Sequence, residues 1–101
     1  MEYGSRLLVS TENGTEIAVI SQTLTNFRAR RVSPGAAGTS TIELEINGVL
    51  TGDTLSWAFT DGAWSLKTTN INQAVSPGDR ISFSITAVET GGPRDIFAEV
   101  D

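Results

Sequence analysis

Apolar and polar residues alternate with period two along most of the chain, the mark of strands that bury one face. The clearest stretch is residues 41–47. Ile42, Leu44 and Ile46 point one way there, Glu43 and Glu45 the other. Asn47-Gly48 follows, a strong hairpin signal because both residues tolerate positive φ. Residues 53–60 place Leu55, Trp57 and Phe59 on one face, and Asp61-Gly62 then turns the chain. Residues 63–69 place Trp64, Leu66 and Thr68 together. Ser76-Pro77-Gly78-Asp79 has Pro and Gly where a type II turn wants them. Residues 80–88 alternate cleanly, with Ile81, Phe83, Ile85 and Ala87 inward. After Gly91-Gly92-Pro93, residues 95–100 close the chain with Ile96, Ala98 and Val100 inward.

The first third is less regular. Asn13-Gly14 between residues 6–10 and 15–21 predicts a small hairpin. Ile17 and Val19 face opposite to Ala18 and Ile20, so both sides are partly apolar. A strand covered on both faces, or a segment that docks on a neighbour, has this pattern. Residues 24–32 read as a longer strand, and 33–40, with Pro34, Gly35 and Gly38, as a loop. No segment has a 3.6-residue apolar period. About seven to eight strands with closely spaced turns predict an all-β fold, an antiparallel β-sandwich of jelly-roll-like or Ig-like type. The expected core is Phe27, Ile42, Leu44, Ile46, Leu55, Trp57, Phe59, Ile81, Phe83, Ile85 and Ile96.

Composition narrows function by exclusion. The chain has 101 residues, room for one domain. Its formal net charge of −5 disfavours nucleic acid and anionic membrane as partners. It has no Cys and no His, so thiolate chemistry and the usual neutral-pH acid/base group are both missing. No apolar run approaches the ~20 residues of a membrane-spanning helix. The N-terminus lacks a basic start followed by an apolar stretch, so no signal peptide is expected. An enzyme is not expected, and neither is a cofactor.

Several constellations remain. Glu43 and Glu45 share a strand face, which suits a solvated surface better than a glycosidase pair, since that chemistry needs a cleft. Asp53, Asp61, Asp79 and Asp95 all fall at expected turns, where Asp caps backbone donors; loop calcium is the alternative. Arg28, Arg30 and Arg31 are the basic cluster, with Arg28 and Arg30 on one face. They suit an acidic surface or a carboxylated or sulfated sugar, or else cross-strand pairing with Glu43 and Glu45. Trp57 reads as core. For Trp64 two readings stand side by side: core, or an aromatic platform for a sugar ring.

From Phe27 onward the order of pieces resembles a small β-sandwich domain of bacteriophage virion proteins, found in capsid decoration proteins, head fibres and tail-fibre tips. A strand with a basic face (27–32) leads into a Pro/Gly loop (33–40). An alternating strand ending in Asn47-Gly48 and a polar hairpin (54–70) follow. The Pro-Gly-Asp turn at 76–79, the strand 80–88, the turn at 91–93 and a short last strand complete the series. The resemblance covers about three quarters of the chain and carries no catalytic fingerprint.

It implies a virion protein on the outer capsid surface, a decoration or cement protein whose partner is the major capsid protein or another virion protein. A homotrimer would match the threefold sites of a capsid lattice. Residues 1–22 would then be a docking segment or hairpin beside a sandwich of residues 23–101, with Tyr3, Leu7, Leu8, Val9, Ile17, Val19 and Ile20 as anchors. The rival reading is a glycan- or receptor-binding module of a phage fibre, contacting its ligand through Arg28, Arg30, Trp64 and the turn aspartates. A plain interaction domain outside any virus is a third.

Overall fold

A computed structural model describes residues 6–9, 16–17, 21–91 and 94–101, and among them every regular element is a strand. The strands are β1 (Arg6–Val9), β2 (Glu16–Ile17), β3 (Gln22–Ser33), β4 (Thr39–Ile46), β5 (Val49–Ala58), β6 (Ser65–Val75), β7 (Arg80–Ala87) and β8 (Arg94–Val100). Six long strands make the body, as two three-stranded antiparallel sheets in the orders β8-β3-β6 and β7-β4-β5. The expected count of seven to eight is reached only with β1 and β2, short strands that extend the sheets at β8 and β7.

Strand pairing is nested. β4 pairs β5, β3 pairs β6, β2 pairs β7 and β1 pairs β8, all antiparallel. The innermost connection is Asn47-Gly48, with φ of 55° and 80°, as a two-residue hairpin of the strands' own twist requires. The 76–79 turn also forms as expected. Gly78 has φ 95°, and Asp79 N–H donates to Ser76 O at 3.0 Å.

Two hairpin expectations are overturned. β1 and β2 belong to different sheets, so they do not pair across Asn13-Gly14. β5 and β6 likewise belong to different sheets, so the chain crosses between sheets at Asp61-Gly62 instead of folding back. Turn residues mark where a chain reverses, and leave open which strand it then meets.

Alternation does fix the core. Leu24, Phe27, Ala29, Ile71, Val75, Ile96, Ala98 and Val100 from one sheet cluster with Ile42, Leu44, Leu55, Trp57 and Ile81 from the other. Each large side chain contributes about 1.5–3 kcal/mol by leaving water. Trp57 is fully buried, and its indole N–H donates to Ser65 O at 2.9 Å, tying β5 to β6.

Ile46 and Phe83 are only partly buried. Phe59 and Ile85, both expected in the core, are 41% exposed. Phe59 lies one residue past β5, where its N–H turns to Gly38 O and strand parity no longer applies. Ile85 pairs with Ile42 as the last residue of β7 before the register shift between Thr41 and Ile42 of β4. It has the inward parity, but parity supplies no covering element.

At one end of the molecule a charge pair replaces hydrocarbon. Arg31 is inward on β3 beside Ala29, and Glu89 follows β7; both side chains are fully buried, 2.8 Å apart. Arg31 also donates to the carbonyls of Ala58 (3.1 Å), Asp61 (2.5 Å) and Gly62 (3.0 Å). Glu89 accepts from Gly35 N–H at 3.0 Å, and its own N–H donates to Ser40 Oγ at 2.9 Å. Gly35 is required here: a Cβ would lie 2.6 Å from Thr90 O and 2.7 Å from Glu89 Cβ.

Glu89→Ala leaves the Arg31 charge buried without its counter-ion and is expected to cost about 3–5 kcal/mol in urea unfolding. A variant as stable as the parent would show that water relieves this charge.

Candidate functional site

The parity that buries Phe27, Ala29 and Arg31 turns Arg28 and Arg30 to the outer face of β3. Register then decides their neighbours. Arg28 lies between Thr68 of β6 and Glu99 of β8, and Arg30 between Leu66 and Phe97. Arg28 Nε meets Glu99 Oε1 at 3.0 Å, and its Nη2 meets Asp101 Oδ2 at 3.1 Å. These bonds, that to Asp101 foremost, raise the Arg28 pKa. The expected pairing of Arg28 and Arg30 with Glu43 and Glu45 does not occur, because β3 and β4 are in different sheets. Glu43 instead accepts from Gly52 N–H at 2.8 Å, and Glu45 takes the Ser84 hydroxyl.

Trp64 completes the arrangement. It precedes β6 with φ 59°, the left-handed region that a bulky side chain adopts only under constraint, at a cost of about 1–3 kcal/mol. Both of its backbone groups are held: the N–H donates to Val32 O at 3.0 Å, and the carbonyl accepts from Arg30 Nη1 at 2.8 Å. The indole is not core. Trp64 is 56% exposed. Arg28, Arg30 and Trp64, three candidates chosen from sequence, thus line one open concavity of about 380 Å³ on the outer face of β8-β3-β6. Leu66, Phe97 and Glu99 share it. Phe97 and Glu99 carry a legible signal, being the outward positions of 95–100, but their neighbour β3 follows only from topology.

The other candidates lie elsewhere. Leu7, Leu8 and Val9 pair in register with Glu99, Ala98 and Phe97, and Ile17 with Arg80. Tyr3, Val19 and Ile20 lie outside the described residues, as does the side chain of Asp95. Asp53 accepts from Gln73 Nε2 at 2.8 Å. Asp61 accepts from Ala58 N–H at 2.9 Å and meets Lys67 at 3.2 Å. Asp79 accepts from Ser76 N–H at 2.8 Å and Asn47 Nδ2 at 3.1 Å. None of these three aspartates lines the concavity. Among the described residues no group of three or more acidic side chains is placed to hold a metal ion.

No family model matches the chain, and no curated protein matches it.

Backbone hydrogen bonds to Ala58 and Ser76 respectively, with help from Lys67 and Asn47, lower the pKa of Asp61 and Asp79. A carboxylate whose folded pKa lies below its unfolded value of about 3.9 stabilises the fold above that value. The contribution is lost as pH falls through the folded pKa. Melting temperature is therefore expected to drop on acidification below about pH 4, and less steeply in an Asp61→Asn/Asp79→Asn variant. Identical slopes in parent and variant would contradict the assignment.

Proposed function

We propose that the chain is a non-enzymatic bacteriophage virion protein, a jelly-roll β-sandwich that decorates or cements the outer capsid surface. The observation that carries this reading is the nested strand order. Strands paired 1·8, 2·7, 3·6 and 4·5 have the order that a long hairpin takes when wound into a jelly roll, the arrangement used by capsid and lectin domains, and this order supports the reading. The order of strands and turns over residues 27–100, which resembles that of virion β-sandwich domains, supports the same reading. Fold alone does not assign function, so the partner must come from surfaces.

The docking surface in this reading is the N-terminal segment. β1 and β2 are edge strands, and an edge strand offers backbone donors and acceptors to a neighbouring chain. The partner is the major capsid protein or another virion protein, and a homotrimer at a threefold site is the natural copy arrangement. The mechanism is mass action: a ligand that binds only the assembled lattice stabilises that lattice.

A second reading, a glycan- or receptor-binding module of a fibre, is favoured by one specific observation, the exposed Trp64 that lines one concavity with Arg28 and Arg30.

Purified chain mixed with undecorated capsids of its phage is expected to co-sediment at lattice-like copy number and to raise the temperature at which the capsids open. A Leu7→Lys/Val9→Lys variant, charged on the β1 edge, should lose binding. Absence of the parent chain from sedimented capsids would contradict the decoration reading.

A further inference from the structure

We propose that the concavity on the outer face of β8-β3-β6 is a binding site for a neutral pyranose, with Trp64 as the stacking platform. This rests on the second reading above, that the outer face carries a ligand, and holds whether the chain is borne on a head or a fibre.

The platform comes first. A tryptophan kept at φ 59° and 56% exposed stabilises the fold neither by burial nor by backbone comfort. The hydrogen bonds from Arg30 to its carbonyl and from its N–H to Val32 fix the backbone that presents the ring. One face of a pyranose is a patch of C–H groups, and an aromatic face with its negative quadrupole complements such a patch. Leu66 and Phe97, 47% and 37% exposed, continue the apolar floor. The volume of about 380 Å³ falls in the range of small-ligand sites.

Charge then selects the class of sugar. Arg28 faces two carboxylates, Glu99 and Asp101, while Arg30 bonds a neutral carbonyl. The two positive and two negative groups cancel. An anionic sugar entering beside Arg30 would also approach the Glu99 carboxylate, itself 43% exposed. Neutral hydroxyls meet no such conflict. They can donate to Glu99 and accept from the N–H groups of Arg30, and such ionised partners make the stronger hydrogen bonds. The sequence pattern of two outward arginines suggested a carboxylated or sulfated ligand; their partners reverse that preference.

The test is an NMR titration of the full chain with neutral gluco-, galacto- and manno-configured oligosaccharides and with sialylated and sulfated counterparts. The two indole N–H signals are the readout. Trp57, whose N–H is bonded to Ser65, is the internal control. A neutral sugar is expected to shift the Trp64 signal and leave that of Trp57 in place. Trp64→Asn, which suits the left-handed backbone, should weaken binding about tenfold or more with no loss of melting temperature. Phe97→Ser serves as an independent variant of the same floor.

Binding confined to sialylated or sulfated sugars overturns the neutral class and leaves the outer face a ligand site. Neutral binding that survives both variants overturns the location. No shift with any sugar overturns the proposal and the glycan reading together. Capsid sedimentation, run in parallel, reports on the decoration reading separately.

Discussion

The buried ion pair between Arg31 and Glu89 organises the end of the molecule on which the rest depends. Two charges removed from water carry a desolvation penalty that their attraction alone does not reliably offset. Additional hydrogen bonds make the arrangement workable. Three carbonyls, of Ala58, Asp61 and Gly62, face the guanidinium, and the Gly35 N–H faces the carboxylate. Asp61, Gly62 and Gly35 belong to connections, and Ala58 is the last residue of β5. One pair therefore fixes the β5–β6 crossing, the β3–β4 loop and the segment after β7 at once. An apolar pair of the same volume could fill the space but could not satisfy those backbone groups.

The candidate site inherits its geometry from this end. The crossing gripped by Arg31 leads directly into Trp64, whose N–H is bonded to Val32, the next residue along β3. Arg30, on the other side of Arg31, bonds the Trp64 carbonyl from the outer face. Three consecutive residues of β3 thus hold the crossing from inside and outside the sheet. Strand parity makes this possible: Arg31 enters the core while Arg30 stays outside.

Much of this was legible in the sequence, for identifiable reasons. Asn47-Gly48 and Pro77-Gly78 encode local backbone geometry, so their turns form as read. Period two named most of the core and put Arg28 and Arg30 on an outer face. It could not name partners, because pairing depends on strand order, and that is why Glu43 and Glu45 stood where Glu99 and Asp101 belong. β6 extends to Val75 through polar residues such as Thr69, Asn70 and Asn72, whose composition hides a strand. Glu89 was invisible for a similar reason. An acidic residue after a strand reads as solvated unless a buried cation is known to wait for it.

The most direct test of this account is the backbone mobility of Trp64, measured by 15N relaxation in the parent and in Glu89→Gln. A held crossing predicts an order parameter near the ~0.85 of rigid backbone at Trp64 in the parent, and a clear fall in the variant. A mobile Trp64 in the parent, or one whose order is unchanged when the pair is broken, would contradict it.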